Sequence, residues 1–196
     1  NDNITISQEK VSHLKKAHNS IRDKLSKHFK LSNLPLPSFY IQGSYKTKTI
    51  IENSSLKCDV DLGVYFTGKP KFKVETIQNH IKNALTGHTT KSVMVKKHCV
   101  RLNYVYDFHI DLPIYYLDEQ TKEIFHGIKG VGWQQSDPKK FTDWFNNKTK
   151  DKHQLVRIIR YLKAWSDYTK HKGKRIMPSG LSLTLWAIEH YVSSKR

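Results

Sequence analysis

Residues 41–66 read IQGSYKTKTIIENSSLKCDVDLGVYF. The second half of this stretch decides the fold. From Cys58 to Phe66 the residues alternate in character, the period-two pattern of a strand with one buried face. Asp59 and Asp61 interrupt an otherwise apolar run, and because they are two apart they leave the strand on the same face. Strands disfavour Asp, and like charges on one face repel. A positive group is therefore expected beside them. Ahead of this strand, 38–42 reads as another strand, and Gly43–Ser44 as a turn into a short polar helix or loop.

Outward from that stretch the pattern is mixed. Val11, Leu14, Ala17, Ile21, Leu25 and Phe29 recur at spacings of three and four, which predicts an amphipathic helix over 7–29, ended by LPLP at 34–37. Val74, Ile77, Ile81 and Leu85 predict a second helix with Gly87 just past its end. Strands are expected at 90–96, 98–106 and 108–116. Asp137–Pro138 reads as an N-cap followed by Pro at the first helical position, and Phe141, Trp144 and Phe145 give that short helix an apolar face. The strongest helix spans 151–170, with Leu155, Ile158, Ile159, Leu162 and Trp165 on one side. A last helix restarts at Pro178–Ser179 and runs through Leu181, Leu185, Ile188 and Val192. Trp133, Trp144 and Trp165 are expected in the core. The order implies an α+β nucleotide domain over 1–135, with an N-terminal spine helix, followed by part of a helical domain over 136–196.

Lys and Arg number 34 against 17 Asp and Glu, a net charge of +17 that favours phosphate-bearing or other polyanionic partners. Cys58 and Cys99 form neither a metal spacing nor a disulfide framework, and buried thiols of this kind suit a cytoplasmic protein. There is no secretory signal and no apolar run long enough for membrane insertion. The start at Asn1 without Met, and the stop inside an apolar helical pattern near Tyr191, are what a fragment of a longer chain gives.

The chemistry-bearing pattern is a strand, a Gly-Ser turn, an Asp-x-Asp strand and a distant strand, DFHIDLPIYY, with Asp111 in its middle. If the two acidic strands are neighbours, Asp59, Asp61 and Asp111 converge. Three hard oxygen donors suit Mg²⁺ or Mn²⁺ better than zinc, and two such ions serve phosphoryl transfer. The bland alternative makes Asp59 a turn cap and Asp111 a strand end; Asp107, at the strand start, rivals Asp111 but reads better as a turn residue. The eleven His show no ligand spacing, and His109 at most supports the acids.

These residues resemble the DNA polymerase β-like nucleotidyltransferase superfamily. QGSY, DVDLGVY, FHIDLPIYY, WQQSDPKKFTDWFN, RYLKAW and PSGLSLT, in that order, resemble the CD-NTases, the nucleotide cyclases of bacterial anti-phage (CBASS) systems, over about residues 38–192, and within them the likeness is to the bacterial cyclic GMP–AMP synthase clade. The resemblance implies a mixed sheet with flanking helices and a two-metal synthase that makes a cyclic di- or oligonucleotide from nucleoside triphosphates, purines favoured. It implies metal-binding and catalytic roles for Asp59, Asp61 and Asp111. It also implies nucleotide-binding roles for Gln42, Gly43, Ser44, Arg101, Lys163 and Ser179, and leaves room for a regulatory protein or nucleic-acid activator. The family continues into a longer C-terminal helical domain. Taken alone, Lys163 is a solvated helix lysine, Ser179 an N-cap and Arg101 a strand-edge charge. The same chemistry with an RNA or protein acceptor is the nearest rival function, and a non-catalytic nucleic-acid-binding module the next.

Overall fold

The computed structural model describes residues 4–52, 58–105, 108–173 and 175–192; Asp107 lies outside them. Its elements are α1 (Gln8–Leu31), β1 (Ser38–Gln42), α2 (Gly43–Lys46), β2 (Cys58–Thr67), α3 (Val74–Leu85), β3 (Val93–Val95), β4 (Val100–Asn103), β5 (Phe108–Leu112), β6 (Ile114–Leu117), β7 (Ile124–Ile128), β8 (Gly132–Gln135), α4 (Pro138–Thr149), α5 (His153–Gly173) and α6 (Gly180–His190).

Local chemistry sets the helix ends. Ser7 caps α1 by accepting from the Lys10 amide. α1 ends when Asn33 takes a left-handed φ of 55°, with Leu34 N–H donating to Phe29 C=O, so the stop comes before the prolines. Asp137 accepts from the amides of Lys139 and Lys140, with Pro138 at the helix start.

The eight strands form one mixed sheet. β1 pairs antiparallel with β2, and β5 and β6 both pair parallel with it in one unbroken register, from Cys58 opposite Phe108 to Thr67 opposite Leu117. The expected single strand at 108–116 is thus split at Pro113, whose ring supplies no ladder N–H, while its carbonyl still accepts from Val64 N–H at 2.9 Å. β4 flanks β5 and β7 flanks β6, both antiparallel.

Alternation along β2 separates two jobs. Cys58, Val60, Leu62, Val64 and Phe66 face α1 and α3, where Leu14, Ile21, Leu25 and Ile81 are fully buried. Each such side chain contributes roughly 1.5–3 kcal/mol on leaving water. The intervening positions, Asp59, Asp61, Gly63 and Tyr65, face the other way. Phe145, Leu155 and Ile159 form a separate small core between α4 and α5.

Two expectations are corrected, and two strands are added to those expected. β7 and β8 were not legible in the sequence. Trp165 is 55% exposed rather than core, because the buried side of α5 runs through Leu155, Ile159 and Ser166. In α6 it is Leu183 that is buried, while Leu181 and Leu185 are exposed and Val192 lies past the helix end. No helix among the described residues is long and apolar enough to cross a membrane.

Candidate active site

The parallel register places Asp61 beside Asp111, and Asp59 beside His109, on the sheet face away from α1. Asp59, Asp61 and Asp111 line one cavity of about 470 Å³ together with Gly43, Ser44 and Lys163. Each acid has a different surrounding. His109 Nε2 lies 2.7 Å from Asp59 Oδ1. Arg101, opposite Asp111 on β4, donates from Nε to Oδ1 and from Nη2 to Oδ2, both at 2.6 Å. Arg101 is the positive group the acids were expected to have beside them, and it pairs with Asp111 rather than with the Asp-x-Asp strand. Asp61 has its carboxyl pushed up to about 6, first by burial and then by Asp111 and Asp59. Burial works in the same sense on Asp59, but His109 and Arg101 outweigh it and hold that carboxyl below its ordinary range.

Gly43 ends β1 and turns the chain at φ +68°, and a Cβ there would overlap the Asp61 carboxylate. The turn that follows is braced internally. Thr47 Oγ1 donates to the carbonyls of Gly43 and Ser44, and Thr49 N–H returns to Ser44 C=O at 2.9 Å. Lys163, reaching in from α5, donates to Thr49 Oγ1 at 2.8 Å, and burial pulls its ammonium down to about 8. Gln42, at the end of β1, is held by two tyrosines. Its buried amide donates to the Tyr115 hydroxyl at 2.9 Å and accepts from the Tyr65 hydroxyl at 2.8 Å, fixing the end of β1 against the tyrosines beneath. Ser179 caps α6, accepting from the Ser182 amide at 3.1 Å, and stands exposed.

The sequence reading missed a polar stripe on α5. Ser166, Asp167 and Lys170 follow Lys163 at helical spacing and line the same cavity. The signal was there: an i, i+3, i+4, i+7 set of polar residues flanking a lysine already singled out.

The donor set fits a hard divalent cation. Every donor is a carboxylate oxygen, and burial together with the neighbouring Asp111 and Asp59 makes the Asp61 charge costly without a cation beside it. Among the described residues no three acidic, His or Cys side chains form a ready-made metal cluster, since Asp59 leans to His109 and Asp111 to Arg101.

A mixed sheet with α1 and α3 on one face, and the acids facing α5 and α6 on the other, is an α+β architecture, and its likeness to the solved structures below makes it a nucleotidyltransferase fold. Residues 1–149 match the Second Messenger Oligonucleotide or Dinucleotide Synthetase domain, and the chain belongs to that family, the CD-NTases. It is 30% identical over 166 residues to the cyclic GMP-AMP synthase of Escherichia albertii, covering 78% of this chain but 37% of that protein. The fold is similar to Vibrio cholerae DncV bound to 3′-deoxy ATP, with TM-score 0.79, 19% identity, and coverage of 98% of this chain and 70% of that one. It is equally similar to Escherichia coli DncV bound to 3′-deoxy GTP, with TM-score 0.79, 18% identity, and coverage of 97% and 70%. A third likeness is to Vibrio cholerae DncV with the linear intermediate 5′ pppA(3′,5′)pG, with TM-score 0.80, 17% identity, and coverage of 97% and 70%. The chain thus spans little more than a third of the curated relative's length.

Proposed function

We propose that this chain carries the nucleotidyltransferase site of a synthase that joins nucleoside triphosphates, purines foremost, into a cyclic di- or oligonucleotide in cytoplasmic, CBASS-type anti-phage defence. The observation that carries the reading is Asp61 in register with Asp111, with Asp59 on the same face, in one cavity with Gly43, Ser44 and Lys163. Family membership supports it, as does the name of the E. albertii relative, a cyclic GMP-AMP synthase. The free, buried Cys58 and Cys99 support the cytoplasmic setting. The separate small core of α4 and α5 supports a division near residue 135 into a catalytic core and a helical part.

Asp59, Asp61 and Asp111 would hold two Mg²⁺ or Mn²⁺ ions. Such ions, when bound, stabilise the attacking and leaving oxygens of phosphoryl transfer. Gly43, lacking a Cβ, lets a triphosphate approach the backbone, and Ser44 and Lys163 face the same cavity with a hydroxyl and an ammonium. Asp111 accepts the proton of the attacking 3′-hydroxyl. The 3′-oxygen bonds to the α-phosphorus of a second triphosphate and pyrophosphate leaves; a second such step closes the ring. Arg101 transfers its hydrogen bonds from Asp111 to the acceptor nucleotide. Ser179 contributes at the start of α6, and Gln42 positions the turn through Tyr65 and Tyr115.

The test is incubation with α-³²P-labelled ATP, GTP, CTP and UTP, singly and mixed, with Mg²⁺ and then Mn²⁺. The expected result is a phosphatase-resistant product that disappears in Asp59→Asn with Asp61→Asn. Full turnover in that variant overturns the mechanism. Label passing to added RNA, rather than into a small product, makes RNA the acceptor.

A further inference from the structure

A second cavity of about 400 Å³ lies across the Gly-Ser turn from the acids, and Thr47 lines both. Its wall is basic. Lys46 and Lys48 enter from the turn, and Arg157 and Arg160 from successive turns of α5, with His153, Asn146 and Thr149 adding further polar groups. No carboxylate is among the described residues that line it. Four basic side chains on one concave surface repel each other, and the hydrogen bond of Arg160 Nη1 to Thr5 Oγ1 is long, at 3.5 Å. Lys46 reaches partly back over the Tyr40 ring, 5.5 Å from its centre.

The backbone adds a second observation. Lys48 holds a left-handed φ of 58°, a conformation that Gly or Asn adopts at lower steric cost. This is where α2 ends, Lys48 N–H returning to Tyr45 C=O and Thr49 N–H to Ser44 C=O, so the cap fixes the backbone that carries the Lys48 side chain into the cavity wall. Guanidinium forks match phosphate oxygens two at a time, lysines add mobile point charges, and a concavity of this volume suits a small molecule rather than a flat macromolecular surface.

We infer that this cavity is a separate anion site that takes the oligophosphate group of a small molecule. Its occupant bears on the same short turn that carries Gly43 and Ser44, so binding there stiffens residues 43–49 from behind. The inference stands on its own geometry and holds whether or not the acid-lined cavity is catalytic.

Inorganic tripolyphosphate is the probe, titrated calorimetrically into the whole chain at low salt with EDTA present. Lys163→Met disables the acid-lined cavity and leaves this site intact, so tripolyphosphate still binds to that variant and slows hydrogen exchange across 43–49. Adding Arg157→Gln and Arg160→Gln to it weakens binding by about tenfold or more, the loss of at least one charge-assisted contact. Should that protein fold poorly by circular dichroism, Lys48→Gln, at an exposed position, gives the same direction of change. Binding abolished by Lys163→Met and untouched by the arginine substitutions overturns the site. Binding of a single-stranded RNA of about 12 nucleotides through these residues, with no response to tripolyphosphate, overturns the small-ligand assignment.

Discussion

Arg101 grips Asp111 through two parallel hydrogen bonds of 2.6 Å, across the β4–β5 ladder. The guanidinium occupies both oxygens of the acid that stands beside Asp61. A cation at the acids therefore competes with Arg101 for Asp111. Arg101→Gln is expected to bind Mn²⁺ about tenfold more tightly in the absence of nucleotide, a shift of about 1.4 kcal/mol, while turnover falls. Electron paramagnetic resonance of free Mn²⁺ reads the affinity directly. Weaker binding in the variant would make Arg101 a brace for the acid rather than its competitor.

Gly43→Ala tests the close approach of the turn to Asp61. The substitution places a methyl on the carboxylate and asks an alanine to hold φ +68°. Strain of this kind costs about 1–3 kcal/mol. The expected outcome is a lower urea midpoint together with loss of nucleotide binding. A variant of wild-type stability would show that β1 and α2 shift freely, and that the turn is not fixed against β2.

Lys163 carries a pH dependence. Burial lowers its pKa to about 8, so the ammonium predominates at neutral pH and is lost as pH rises through about 8, below the point where an exposed lysine titrates. Affinity for an ATP analogue is expected to fall on the alkaline side of about 8 in the wild type. In Lys163→Arg, whose charge persists, the profile flattens. An unchanged profile in the arginine variant would assign the alkaline loss to another group.

The legible parts of this chain are those where one local rule dominates. Period-two alternation around Asp59 and Asp61 gave both the strand and the shared face, because one side of β2 is fully buried against α1 and α3. The distant Asp111 followed from the apolar residues on either side of it. What the sequence concealed depended on tertiary context. The IFHGIKGVGWQQ segment, 124–135, forms β7 and β8 although His and Gly break its alternation, since β7 is held by β6 along its edge. Trp165 looked like core because its spacing matched Leu155 and Ile158, yet the buried stripe of α5 runs through Leu155, Ile159 and Ser166 and leaves Trp165 outside it. Arg101 read as an edge charge, and only the register opposite Asp111 gives it a partner. Gln42 read as part of a ligand motif, and only the fold brings Tyr65 and Tyr115 to its amide.

His18 is expected to contribute to the acid sensitivity of the fold. It sits in α1 at 2% exposure, edge-on to Tyr45 with ring centres 5.9 Å apart, and neither ring nitrogen has a hydrogen-bond partner among the described residues. Burial, with Arg22 nearby, lowers its pKa to about 4. The native state therefore keeps this ring neutral where the unfolded chain already protonates it. Between about pH 6.5 and 4 the unfolded state binds more protons, and stability falls with pH by up to about 3 kcal/mol. His18→Leu fills the same space without a titrating group. Urea midpoints at about pH 7.5 and 5 are expected to separate the two proteins, the wild type losing more than the variant on acidification. Equal losses would move the acid sensitivity to another buried group, and the unpartnered ring would then be accommodated without cost.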